Sequence, residues 1–339
     1  MRFPFSLTRK MTAYLIRKKL AGEKQFPMVL MLEPSHCCNL ACSGCGRIRE
    51  YSAHLSRKLS LDQCLDAMDD CGAPIVSICG GEPLVYPHIK QLIQETLARG
   101  KHIYLCTNGL LLEEKATELP KNKRLLINVH IDGMEATHDR IVGRAGVFAA
   151  ASRGILAAKE AGLSVCTNTT IYKQTQMSEI AVLFEYLTEL CVDGLMISPA
   201  YGYQAVENTN PDAATNIFMT RSEVNEKFSR ARRLLRRFKL STSPIYLDFL
   251  SGYRDLQCAA WANPTYNVLG WRGPCYLVAD NHYPTYRQLV EATDWGSLGP
   301  GRDPRCEHCL VHCGFEPAAV LAANHSLRDV LRMALWQMT

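Results

Sequence analysis

The feature that most constrains this chain is a rhythm. From residue 27 to roughly residue 200, short apolar runs alternate with stretches whose apolar residues recur at helical spacing. The runs at 27–32, 75–78, 102–106, 125–131, 164–169 and 194–197 read as six strands. Helical patterns fall between them at 88–99, 111–119, 147–161 and 177–190. Another opens at Ser60, an N-cap with Gln63 three residues on, carries Leu61, Leu65 and Met68 on one face, and stops at Gly72. Strand–helix alternation of this kind builds βα units and a largely parallel sheet. A long basic helix is expected over 221–240. Beyond 241 the rhythm stops and Pro, Gly, Trp and Cys become frequent, so the chain divides into a basic amphipathic segment (1–26), an α/β core (27–240) and a Cys-rich C-terminal domain (241–339).

Composition excludes several classes. Of 339 residues 47% are hydrophobic and 21% charged, enough for a substantial core and incompatible with global disorder. No uncharged apolar run is long enough to span a bilayer, the longest being 26–32. No apolar stretch with a small-residue cleavage site follows the basic N-terminus, so no signal peptide is expected. A net charge of +5 is too mild to imply a nucleic-acid partner. The expected location is therefore cytoplasmic, a reducing compartment in which fifteen unevenly spaced cysteines point to metal or cluster ligation rather than disulfides.

Cys38, Cys42 and Cys45 stand in C-N-L-A-C-S-G-C directly after the first strand. Three thiolates in eight residues suit a four-iron cluster with one iron open. Structural zinc wants four closed ligands, for which Cys37 or His36 is the available fourth. The C-x3-C-x2-C spacing after an initial strand resembles the radical S-adenosylmethionine (SAM) superfamily. Gly80-Gly81-Glu82-Pro83, which ends the second strand, resembles that superfamily's GGEP turn. Alone, such a run marks a tight turn just as well. The resemblance implies a partial (β/α)6 barrel, a 4Fe-4S cluster at Cys38, Cys42 and Cys45, and SAM held at its methionyl amine by Gly80, Gly81 and Glu82.

The likeness extends further. M-L-E-P and C-N-L-A-C-S-G-C-G (31–46), C-G-A-P-I-V-S-I-C-G-G-E-P-L (71–84), Y-L-C-T-N (104–108), H-I-D-G (130–133), V-D-G-L-M-I-S-P-A-Y (192–201), N-P-T-Y-N-V-L-G-W (263–271) and C-E-H-C-L-V-H-C-G-F-E-P (306–317) resemble the adenosyl-hopene transferase family. That family joins the 5′-deoxyadenosyl radical to the terminal alkene of hopene (diploptene), giving adenosylhopane for bacterial hopanoid synthesis. Cys79, Val142-Gly143-Arg144-Ala145-Gly146 and Ser35-His36-Cys37 depart from its usual residues. The resemblance implies a hydrophobic triterpene substrate and an external electron donor such as flavodoxin or ferredoxin.

Catalytic groups in α/β barrels sit at the C-terminal ends of strands, which here selects Glu82, Cys106-Thr107-Asn108, His130 with Asp132, Asn168 and Ser198. Arg144 is the candidate for the SAM carboxylate, because a guanidinium can hold it bidentately. Asn168 is the candidate for ribose or carboxylate, and Ser198 completes the cofactor-binding set. Radical addition to an alkene leaves a carbon radical that needs a hydrogen atom. The Cys106 thiol is the expected donor, with Cys79 the competitor and ordinary buried packing the bland alternative.

A second set, Cys306, Cys309 and Cys313, lies in the C-terminal domain. With Cys258 and Cys275 upstream it resembles the SPASM/twitch extensions that carry an auxiliary cluster. Cys275 is favoured over Cys258 as the fourth ligand, and zinc, with Cys275 or His308, or no metal stays open. The basic stretches at 1–24 and 221–240 suggest peripheral contact with the inner face of the cytoplasmic membrane, against a plain solvated surface. Two other functions remain: a radical SAM/SPASM-type peptide-modifying enzyme, and a non-enzymatic iron–sulfur or zinc protein.

Overall fold

The computed structural model describes residues 4–209, 216–323 and 326–338, so Arg2 and Phe3 of the basic N-terminal stretch lie outside the described residues. One mixed nine-stranded sheet organises the chain, in the order β6-β5-β4-β3-β2-β1-β7-β8-β9. Its first six strands are the expected ones: β1 Val29–Leu32, β2 Ile75–Ile78, β3 His102–Thr107, β4 Leu125–His130, β5 Ser164–Ile171 and β6 Gly194–Pro199. Each pairs in parallel with its neighbour in sequence. This is the expected α/β fold, with a Cys-rich C-terminal region. All four residues of β2 are buried, Val76 and Ile78 in the apolar core and Ser77 against Cys106 of β3.

The helices are α1 Phe5–Leu20, α2 Leu61–Cys71, α3 Ile89–Ala98, α4 Glu135–Val142, α5 Val147–Glu160, α6 Met177–Glu189, α7 Arg221–Leu235, α8 Pro244–Leu250, α9 Tyr286–Ala292, α10 His312–Ala323 and α11 Leu327–Met338, with shorter turns between. The Ser60–Gln63 capping box forms, and Gly72 closes α2 in the left-handed region at φ 66°. The helix expected over 221–240 ends at Leu235, because Leu240 leaves the helical path to bridge Leu195 of β6. The stretch at 111–119 forms only short helical turns, Leu112–Lys115 and Ala116–Glu118.

From residue 241 the chain continues the same sheet. β7 (Thr265–Asn267) pairs in parallel with β1, and β8 (Gly270–Pro274) and β9 (Ala279–Tyr283) add antiparallel strands outside it. This edge sets the Cys-rich region beside the first strand and its cysteine loop. At the opposite end, α1 lies across the strand N-termini. Its Tyr14 hydroxyl donates to the Pro27 carbonyl at 2.6 Å, and Lys10 donates to Gly100.

Candidate active site

The loop 35–46 after β1 carries Cys38, Cys42 and Cys45, all partly accessible. Several contacts hold it. Arg49 donates to the carbonyls of Cys42 (3.0 Å) and Cys45, Asn108 donates to Asn39 (2.7 Å), and Ser43 bonds Ile141. Cys38 and Cys42 pack against Leu40, Val142 and Val147. Burial pushes the Cys38 thiol up to about 11 and Cys42 up to about 12. Without metal they are neutral thiols, and metal binding must displace their protons.

The GGEP turn crosses this loop at van der Waals limits. Gly81 N–H donates to the Ser35 carbonyl and Glu82 N–H to the Cys37 carbonyl, both at 2.9 Å. A Cβ on Gly81 would stand 2.1 Å from the Cys37 carbonyl oxygen, and one on Gly80 (φ 106°) 2.6 Å from that of Ser35. Only glycine fits either place. Glu82 is buried and accepts from Leu84 N–H (2.9 Å), the Thr107 hydroxyl (2.8 Å) and Asn108 N–H (2.8 Å). Desolvation raises its pKa despite these donors. The turn, the β3 end and the cysteine loop are thus one hydrogen-bonded unit.

Cys106, the fifth residue of β3, contacts the Ser77 hydroxyl (3.5 Å) and Asn128 Nδ2 (3.8 Å). Desolvation raises its pKa, so it is a protonated thiol. Cys79 is buried, and its pKa is raised by desolvation, then by the neighbouring Glu33 and Cys106. His130 Nε2 lies 2.7 Å from the buried Asp132 carboxylate. Burial alone would lower the pKa of His130; Asp132 outweighs it and the net shift is upward. The remaining candidates separate. Asn168 sits at the β5 end with its Oδ1 buried and unsatisfied, as is the Oδ1 of Asn128. Arg144 is exposed on the turn beside the cysteine loop, where a Cβ on Gly143 would lie 3.6 Å from the Ala41 carbonyl. The Ser198 hydroxyl faces Tyr246 and the His312 N–H, each at 3.4 Å, so its contacts go to the C-terminal region.

The second cysteine set converges on one apolar cavity lined by Cys258, Cys275, Cys306, Cys309 and Cys313. Cys258, passed over in favour of Cys275 on sequence grounds, therefore stands at the same cavity: its Sγ fills the space where a Cβ on Gly314 would lie, 2.4 Å away. The Val278 N–H donates to Cys275 Sγ at 3.3 Å, the kind of N–H···S contact that tunes cluster sulfurs. His308 is exposed, and His36 meets Glu33 through Nε2 at 3.1 Å and stacks on Tyr51, with its Nδ1 buried and unpaired.

Between the two cysteine sets runs a buried ionic network that sequence reasoning missed. Arg47 pairs with Glu33 (2.8 Å) and Glu50 (3.2 Å), donates to the Tyr276 carbonyl and lies 4.2 Å from the Tyr276 ring. The fully buried side chain of Arg272 reaches Glu50 at 2.9 Å and the Tyr51 hydroxyl. Burial alone would raise the Glu33 carboxyl; Arg47 first, then His36, hold it down to about 2. The available signal was Arg47 itself, two residues after Cys45.

The donor chemistry fits the implied groups. Three thiols on a loop held from four sides suit a 4Fe-4S cluster. The Gly81 crossing and the unsatisfied Asn168 and Asn128 oxygens leave polar positions for SAM beside it. Residues 32–187 match the Radical SAM superfamily, and residues 195–333 match a Domain of unknown function (DUF3463). Fe-coproporphyrin III synthase of Methanosarcina barkeri is 30% identical over 156 residues, covering 45% of this chain and 39% of that protein. The antilisterial bacteriocin subtilosin biosynthesis protein AlbA of Bacillus subtilis is 27% identical over 162 residues, covering 45% of this chain and 36% of that protein. The chain thus spans less than half the length of these two curated relatives. In fold, Streptococcus suis SuiB bound to its precursor peptide SuiA superposes with a TM-score of 0.63 at 16% identity, over 89% of this chain and 73% of that one. Residues 32–187, with the cysteine loop they carry, are thus the part of this chain that is similar to the Radical SAM superfamily.

Proposed function

We propose that this radical SAM enzyme adds the 5′-deoxyadenosyl group of SAM to the terminal alkene of a polycyclic triterpene such as hopene, and that Cys106 completes the product. A 4Fe-4S cluster held by Cys38, Cys42 and Cys45 would, once reduced by an external electron donor, supply the electron for reductive cleavage of SAM to methionine and the 5′-deoxyadenosyl radical. Cys38, Cys42 and Cys45 are the cluster's ligands in this reading. Gly80, Gly81 and Glu82 set the turn against which the SAM amine binds, with Asn168 and Arg144 as further contacts. The Glu82 carboxylate also anchors the turn to Thr107 and Asn108, so it fixes the floor of the site as well as its charge.

The carrying observation is Cys106. Its thiol stays protonated, half-buried near the end of β3 and in contact with Ser77 and Asn128. Addition to an alkene leaves a tertiary carbon radical. Transfer of hydrogen from Cys106 Sγ forms the last C–H bond and leaves a thiyl radical, which takes one electron from the external donor and one proton. The motif resemblance across residues 31–317 supports the triterpene as acceptor. Among the cysteines of the second cavity, Cys275, Cys306, Cys309 and Cys313 are the proposed ligands of an auxiliary cluster, with Cys258 now an equal claimant.

The relatives favour a second reading. AlbA is a bacteriocin biosynthesis protein and SuiB is bound to a precursor peptide, so peptide modification has closer named parallels than terpene chemistry. Anaerobic incubation with SAM, reductant and either diploptene or a candidate precursor peptide decides between them by mass spectrometry. The triterpene reading expects adenosylhopane from the wild type. From Cys106→Ala it expects SAM cleavage to continue, with an unsaturated adduct or mixed stereochemistry at the new centre. A normal saturated, single-stereoisomer product from folded Cys106→Ala removes the donor assignment; a modified peptide with unreacted diploptene removes the triterpene.

A further inference from the structure

We infer that the outward face of α11, together with the outer side of α1, is a docking surface for an anionic lipid bilayer. Helix α11 is amphipathic, but its polarity is inverted. Besides Met333, which packs against the main apolar core, the groups it turns inward are polar: Asp329 is buried and pairs with Arg254 at 2.7 Å, Arg332 reaches Asp248 and the Pro244 carbonyl, and the Trp336 indole donates to Leu240 at 3.1 Å. The groups it turns outward are apolar and recur at helical spacing. Leu327 is 77% exposed, Leu331 56%, Leu335 59% and Met338 62%. A surface helix of a water-facing protein shows the opposite arrangement. A contiguous aliphatic face of this kind marks an interaction surface.

The surroundings choose the partner. The C-terminal turn of α11 meets α1, where Gln337 donates to the Thr8 hydroxyl at 3.0 Å. Helix α1 contains no acidic residue, and exposed Phe5, Ile16 and Leu20 alternate with exposed Arg9, Arg17 and Lys19. On α11, Arg328 is exposed and the sole carboxylate is the buried, paired Asp329. Aliphatic side chains interleaved with cations, with no carboxylate on either outward face, complement anionic lipid headgroups over their acyl boundary. At twelve residues α11 is too short to cross a bilayer, and among the described residues no single helix is long and apolar enough to do so. Both helices therefore lie in the plane of the membrane surface. This inference stands on the surface alone and does not depend on the substrate proposed above.

Vesicle co-sedimentation of the full chain tests it. Vesicles of phosphatidylcholine with phosphatidylglycerol should retain the chain, and pure phosphatidylcholine should retain much less. Leu327→Asp with Leu331→Asp should lower the bound fraction by roughly tenfold, leaving the thermal melt unchanged, because both side chains are exposed. Arg9→Glu with Arg17→Glu should weaken binding and flatten its salt dependence. Absence of binding to phosphatidylglycerol vesicles overturns the inference, and so does wild-type binding by the folded Leu327→Asp, Leu331→Asp chain. Analytical ultracentrifugation showing a dimer that this pair of substitutions dissolves, without vesicle binding, would assign the face to a second copy and overturn it equally.

Discussion

Glu316 enters the interior from α10, three residues after Cys313, and accepts the Ser243 N–H at 2.8 Å. Burial outweighs that bond and raises its carboxyl to about 7. The sign follows from linkage. A carboxyl whose folded pKa lies above its unfolded value of 4.5 is at no disadvantage at low pH, and the fold loses stability as pH rises through about 7. Glu316→Gln keeps the acceptor and removes the charge. It should leave the melt nearly unchanged at pH 4.5 and stabilise the chain by on the order of 1–3 kcal/mol at pH 8. Thermal denaturation at both pH values checks this; an equal shift at both would show that the carboxylate is not paying a burial cost. Neither this residue nor Arg47 stood out in the sequence, since a side chain's burial is set by elements far from it in the chain.

At the scale of elements, the GGEP turn and the cysteine loop interlock through backbone, so the turn tolerates no side chain at Gly81. Gly81→Ala should cost about 1–3 kcal/mol of stability and lower SAM cleavage at least tenfold, because the added methyl meets the Cys37 carbonyl rather than a side chain that can rotate away. A thermal melt and single-turnover SAM cleavage measure the two effects; wild-type values for both would show that the loops part easily. What could be read beforehand follows the strength of local signals. The six parallel strands were legible because each is a short apolar run followed by a helical pattern, and the Ser60–Gln63 box fixed one helix start to the residue. Strands β7 to β9 were not: β7 has three residues after Pro264, β9 is partly exposed and polar, and their pairing comes from the β1 edge. Helix α4, Glu135-Ala-Thr-His-Asp-Arg-Ile-Val, was missed because most of its residues are polar. Of the candidate site, the nearness of the cysteine loop, the GGEP turn and the end of β3 with Cys106 could be expected from motif and strand end. The position of Cys258 and the contacts of Ser198 with the C-terminal region depend on long-range packing.

Across the whole molecule, the two cysteine sites are joined by the Glu33–Arg47–Glu50–Arg272 network, which pins residues 272–278 and Cys275 against the first loop. A buried pair broken on one side leaves an uncompensated charge. Arg47→Met should therefore destabilise by about 3–5 kcal/mol, and adding Glu33→Gln should recover part of the loss. Denaturant unfolding of the single and double variants checks this; an unchanged single variant would mean that the network is not what couples the two regions. The central claim is that Cys38, Cys42 and Cys45 hold a cluster that engages SAM beside Gly81. It is tested most directly by electron paramagnetic resonance of the anaerobically reconstituted, reduced chain with and without SAM. The account predicts a SAM-dependent change in the signal that is retained in Cys37→Ala and lost, together with SAM cleavage, in Cys38→Ala. A spectrum indifferent to SAM, or Cys38→Ala behaving as the wild type, would contradict it.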